Sequence, residues 1–237
     1  IHGGAWVTGQ KDQQGQPLLD HMTRRGWIGA AINYPLGPKV RFPDPIIDVK
    51  RAIAWVRTNI AEHGGDPRLL VVTGGSAGGH LTALAALTPD RADWQPGFED
   101  IDTSVTAAVP MYGAFDFVDR HGVRGRAEMR PFLERMVMPS KLADDPTGWD
   151  EVSPMTLARP DAPPFLIVGA ADDLLVPIEE TRHFVDAMQA TSRAAVGYVE
   201  LPHAQHAFDL INSQRTARVT HAIGEFCDYV VGDRQAA

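Results

Sequence analysis

An apolar run at 69–72 passes directly into Gly74-Gly75-Ser76-Ala77-Gly78, and a stretch rich in Ala and Leu follows over 77–87. A strand that turns this sharply and restarts as a helix restricts the fold more than any other part of the chain. The G-x-S-x-G spacing sets a serine on a strained strand-to-helix turn, where only small neighbours leave room. Strands followed by helices in this way belong to a mainly parallel sheet. A glycine-rich turn at a helix start can also cradle a phosphate. Here no Lys-Ser/Thr follows the glycines and no G-x-G-x-x-G spacing is present, so the nucleophile reading of Ser76 is preferred.

The rest of the chain supports that architecture. The run WIGAAINY at 27–34 reads as a buried strand closed by Pro35 and Gly37-Pro38. Asp44-Pro45 reads as a helix start, and Ile46, Val49, Ile53, Val56 and Ile60 recur at steps of three and four. Gly64-Gly65 stops that helix. Further strands are predicted at 105–111, 163–168 and 195–201, and helices at 178–188 and 216–230. The expectation is one α/β domain over 1–237, with a mainly parallel central sheet flanked by helices. The stretch 117–150 breaks the alternation with charges, Met129, Met136, Met138, Pro131, Pro139 and Pro146. It reads equally as a surface excursion with short helices and as a lid-like insertion beside a pocket.

Charge and cysteine content remove several classes. A formal net charge of −8 without a basic cluster argues against nucleic acid as a partner. The lone Cys227 permits no intrachain disulfide and reads as a core position on the last helix. No apolar run reaches the roughly 18 residues of a membrane span, and no signal peptide is visible. A cytoplasmic protein without stable membrane insertion is the expectation. A glycine loop such as Gly3-Gly4 should follow a buried strand, of which only Ile1 is present. Upstream residues, including N-terminal strands and a cap, are therefore expected.

Acyl transfer needs a nucleophile, a base, a group to orient the base, and donors for the oxyanion. Ser76 supplies the first. His2-Gly3-Gly4-Ala5-Trp6 offers backbone N–H groups unobstructed by side chains, so Gly3 and Gly4, with Ala77 after the nucleophile, are the oxyanion candidates. The order Ser, acid, His places the acid after the strand ending near Val168, where Asp172 and Asp173 both stand. The base is expected after the last strand, at His203 or His206. A metal site at these two histidines lacks a convincing third ligand, so neither a metal nor another cofactor is expected.

With those residues in place, the chain resembles the hormone-sensitive-lipase-like branch of the α/β-hydrolases, especially actinobacterial carboxylesterases. The likeness rests on HGGAW at 2–6, AINY at 31–34, GGDP at 64–67, GGSAGGH at 74–80 and QHAFD at 205–209. It implies a cofactor-free serine esterase acting on small esters with short to medium acyl chains through an acyl-enzyme. It also implies Ser76, Asp172 and His206 as the triad, with Gly3, Gly4 and Ala77 around the oxyanion. The chain departs from the branch at Ala5 (commonly Gly), Gly75 (often Asp), Pro35 (usually Arg) and His203 (usually Gly). An amidase or formamidase on the same triad is the alternative. A non-catalytic small-molecule receptor on the same fold is a more distant one.

Overall fold

The computed structural model describes residues 1–124 and 129–236, with backbone alone over 233–236. Four strands form one parallel sheet in sequence order: β1 (Val71–Gly75), β2 (Ala107–Met111), β3 (Phe165–Ala170) and β4 (Val196–Leu201). Val72 faces Ala108, Met111 faces Val168, and Val168 faces Val199 across successive pairs. β2 and β3 are buried throughout, as expected for strands with a neighbour on each edge and helices on both faces.

Among the described residues, seven α-helices surround the sheet: α1 (Gln16–Arg24), α2 (Asp44–Asn59), α3 (Ala77–Leu87), α4 (Arg130–Met136), α5 (Pro146–Glu151), α6 (Ile178–Thr191) and α7 (Gln214–Ala236). The two-residue period of β3 divides the core between them. Phe165 and Ile167 join Ile46, Val49, Leu81, Leu84 and Phe184, so α2, α3 and α6 cover one face. Leu166, Val168 and Ala170 join Leu18, Met22, Val219 and Ile223, so α1 and α7 cover the other. Every residue of α3 is buried, the outcome that its Ala- and Leu-rich sequence requires. α2 ends in a 3₁₀ turn over Ile60–His63 and stops at Gly64, whose φ of 83° favours glycine. Cys227 is buried in the second cluster, and burial pushes its thiol up to about 12.

Two regions differ from the sequence reading. The segment 27–34 is not a strand, and Ile28 is 47% exposed. Residues 27–32 line a cavity of about 660 Å³ that β1 also lines, together with Ile53 and Val56 of α2. A ladder requires neighbours about 4.8 Å apart; apolar composition alone cannot make one. The stretch after β2 shows the opposite behaviour. It holds the short helices α4 and α5, yet Phe117, Leu133, Val137, Met138 and Trp149 enter the main core. Arg41 donates to the carbonyls of Glu134 and Met138, and Arg124 pairs with Glu180 where both side chains are buried. Glu180 also accepts from the amides of Phe115 and Asp116, so the pair satisfies its remaining lone pairs. Residues 125–128 of the expected insertion lie outside the described residues.

Candidate active site

β1 ends at Gly75 and α3 begins at Ala77, leaving Ser76 as the single turning residue with φ 58° and ψ −122°. This is a conformation that an L-residue holds only when its surroundings enforce it. The Ser76 amide donates to Met111 O at 3.0 Å, and its carbonyl accepts from His80 N at 3.0 Å. The turn is thus pinned to β2 on one side and to the first turn of α3 on the other. Gly78 must be bare because a Cβ there would fall on the Ile1 carbonyl and within 2.7 Å of His2 O. The elbow and the opening glycine loop therefore touch through backbone.

The loop at 2–6 is held by side chains from three directions. His2 Nδ1 donates to Gly3 O at 2.7 Å, its ring stacks on Tyr34 at 4.3 Å, and Tyr34 donates to His2 O. Burial lowers the proton affinity of His2, so its ring stays neutral. Trp6 Nε1 donates to His80 Nδ1 at 3.2 Å, and His80 Nε2 donates to Val152 O at 2.7 Å. His80 is fully buried, and burial brings its pKa down to about 3. Gly3 lies against the nucleophile, since a Cβ there would stand 3.1 Å from Ser76 Cβ. Its amide, however, donates to Gln14 Oε1 at 2.7 Å. Among the described residues the amides of Gly4 and Ala77 donate to no group, which leaves both available to an oxyanion.

Across from the nucleophile, His206 Nε2 lies 2.8 Å from Ser76 Oγ, and His206 Nδ1 lies 2.7 Å from Asp173 Oδ2. A carboxylate only accepts, so Nδ1 carries the proton and Nε2 is the acceptor for the serine hydroxyl. Asp173 Oδ1 accepts from the amides of Leu175 and Val176 at 2.8 and 2.9 Å, which fixes the carboxylate in place. The Asp173 side chain is 1% exposed and that of His206 is 12% exposed.

The carboxylate behind the imidazole is thus Asp173, and the expectation of Asp172 is corrected. The Asp172 amide donates to Ala204 O at 2.9 Å, continuing the strand pairing beyond β3. β3 has ended at Ala170, and Asp172 and Asp173 lie in the turn that follows, closed by the Asp173 amide bonding to Ala170 O at 3.3 Å. Asp172 is 51% exposed there and lies 3.6 Å from His203, which is itself 90% exposed. The turn decided between two adjacent identical residues. His203 stands apart from Ser76, as the choice of His206 implies.

The sequence reading did not single out the exposed apolar residues that flank the acid and the base along the chain. Leu174 and Leu175 follow Asp173, and Leu210 and Ile211 lie four and five residues beyond His206. They are 50–78% exposed and account for four of the seven exposed large apolar side chains among the described residues. Among the described residues no group of three or more His, Cys, Asp or Glu is arranged to hold a metal ion. No helix there is long and apolar enough to cross a membrane.

Comparison with known proteins agrees with this geometry. The BD-FAE family model matches residues 1–188. The probable carboxylic ester hydrolase LipM of Mycobacterium tuberculosis is 47% identical over the whole chain, and the esterase LipQ of the same organism is 44% identical. The chain spans about half the length of these relatives, 54% and 56% respectively. Among solved structures, propionate-bound esterase Est2 of Thermogutta terrifontis matches with a TM-score of 0.80 at 27% identity, covering 97% of this chain and 81% of that one. The same esterase phosphorylated by paraoxon matches at 0.77 and 25% identity, covering 95% and 78%. The parallel sheet, the serine elbow and these matches together place the chain in the BD-FAE family, as a hormone-sensitive-lipase-like member of the α/β-hydrolases.

Proposed function

We propose that this chain carries the catalytic machinery of a serine carboxylesterase acting on small esters of short to medium acyl length. The observation that carries the reading is the unbroken line from Ser76 Oγ through both nitrogens of His206 to Asp173 Oδ2. His206 Nε2 takes the hydroxyl proton as Ser76 Oγ attacks the ester carbonyl, and the carbonyl oxygen becomes an oxyanion. The free amides of Gly4 and Ala77 receive that charge. Gly3 joins them only if Gln14 releases its amide. The imidazolium, oriented by Asp173, then protonates the departing alcohol, leaving an acyl group on Ser76. Water attacks the acyl-enzyme with the same imidazole as base, and the acid is released. Each step uses only protein groups, the ester and water, so the mechanism calls for no cofactor.

The substrate class draws support from the names of the relatives, which are esterases. The test is labelling with a fluorophosphonate, mapped by mass spectrometry, followed by a p-nitrophenyl ester series of increasing chain length. Modification at Ser76 and a rate maximum at short to medium acyl chains are expected. Hydrolysis by Ser76→Ala at the parent rate would overturn the reading.

A further inference from the structure

Directly behind His206 lies a second polar pair that the reaction as written leaves idle. Tyr112 follows β2, with its amide bonded to Val168 O at 2.7 Å and a φ of 36°. That positive φ is costly for an aromatic residue and needs enforcement by its neighbours. The ring stands edge-on to the His206 imidazole, with centroids 4.9 Å apart and planes at 66°, and packs in the same manner on Phe208 at 5.4 Å. Its hydroxyl donates to Asp209 Oδ1. Tyr112 is 3% exposed and Asp209 9% exposed, so this is a buried carboxylate held by the Tyr112 hydroxyl and by its own backbone amide. Burial raises the Asp209 carboxyl, while the Tyr112 hydrogen bond and the nearby His206 draw it back down. Burial, and then Asp209, hold the phenol well above its ordinary range, so it stays a donor. Finally, a Cβ added at Gly75 would fall on the Tyr112 hydroxyl and within 2.6 Å of its Cζ.

We infer that Tyr112 and Asp209 are positioning residues for His206: the phenol ring holds the imidazole edge-on, and the Asp209 carboxylate, tethered by the phenol hydroxyl, supplies a second negative charge against which the imidazolium forms. Gly75 is bare because Tyr112 occupies the space its side chain would take. The inference rests on the assignment of Ser76, His206 and Asp173 as the catalytic set. Ser76 from the turn before α3, Asp173 from the loop after β3 and Tyr112 from the end of β2 touch His206, and Asp209, bonded to the Tyr112 hydroxyl, acts on it electrostatically from behind that ring. The His203–Asp172 pair lies outside this set, exposed to solvent.

The test uses enzyme whose intact sites are counted by fluorophosphonate titration, so that loss of folded protein does not count as loss of rate. Asp209→Asn keeps an acceptor for Tyr112 and removes the charge. It is expected to lower kcat about tenfold with KM within twofold, since the developing imidazolium loses a partner. The acid limb of kcat/KM should move to lower pH by about half a unit, because a nearby negative charge favours the protonated imidazole. Tyr112→Phe should move it the same way by less. Gly75→Ala should cost more than about 100-fold in the parent, where it displaces the phenol from His206. In a Tyr112→Ala background the same change should cost little, a non-additivity expected of residues sharing one space. Parent-like pH profiles and kcat in both Asp209→Asn and Tyr112→Phe would overturn the inference, as would additive costs at Gly75 and Tyr112. Ser76→Ala serves as the control: if it stays active, the catalytic assignment itself has failed rather than the role of this pair.

Discussion

Ser76 sits between a strand and a helix whose every residue is buried, whereas His206 hangs from a loop beside the exposed Leu210 and Ile211. The nucleophile is placed by one contiguous stretch, 71–87, that folds into strand, turn and helix. The base and its acid are placed by two loops 33 residues apart, which meet through Asp172 N to Ala204 O and Ala171 N to Leu201 O. Local geometry therefore builds one half of the site, and the meeting of two loops builds the other. The first half tolerates little change in shape, and the second depends on which side chain the turn after β3 presents to His206.

Variants on the two halves can break this contrast. The largest effect is expected for Ser76→Ala, a fall in ester hydrolysis of about 10⁶-fold, because the nucleophile has no substitute. Asp173→Asn should follow with a loss of about 10⁴-fold in kcat, since an amide no longer enforces the Nδ1–H tautomer. On the buried half, His80 makes a hidden point of weakness. Its ordinary pKa of 6.5 falls to about 3 in the fold, so between those values only the unfolded chain takes up the proton. Stability is complete above pH 6.5 and is lost progressively on acidification, on the order of 4 kcal/mol by pH 3. His80→Gln can keep both hydrogen bonds and should flatten this acid limb in urea melts between pH 6.5 and 4. The smallest effect belongs to Asp172→Asn, with kcat within about twofold of the parent, as for an exposed side chain off the reaction path. If Asp172→Asn were the damaging change and Asp173→Asn the silent one, the turn after β3 would not be what selects the acid.

The fold was readable wherever a segment carried its own partner. Ala77–Leu87 matches the predicted helix end to end, β2 and β4 lie inside their predicted spans, and β3 runs two residues past the end of its own. Segment 27–34 has the composition of a strand but lines a cavity with β1 instead of pairing with it, and a strand exists only by pairing. The stretch 117–150 looked peripheral because prolines and charges interrupt it, yet Leu133 and Trp149 are fully buried. Its apolar residues are too widely spaced for a periodic pattern, and no local signal shows that they converge. Lys50 was equally silent: it sits on the apolar face of α2 with its Nζ donating to Thr88 O, Gln95 and Thr103, all distant in sequence.

By itself the sequence determined the α/β class, the serine at its elbow and the bare glycine loop, features that are local and dictated by steric demands within a few residues. The choice of His206 over His203 came from the family resemblance. Tertiary structure alone decided that Asp173 rather than Asp172 reaches His206, that Gln14 holds the Gly3 amide, and that Tyr112 and Asp209 stand behind the imidazole. Each of these depends on how a turn or loop meets another segment of the folded chain, which no local pattern records.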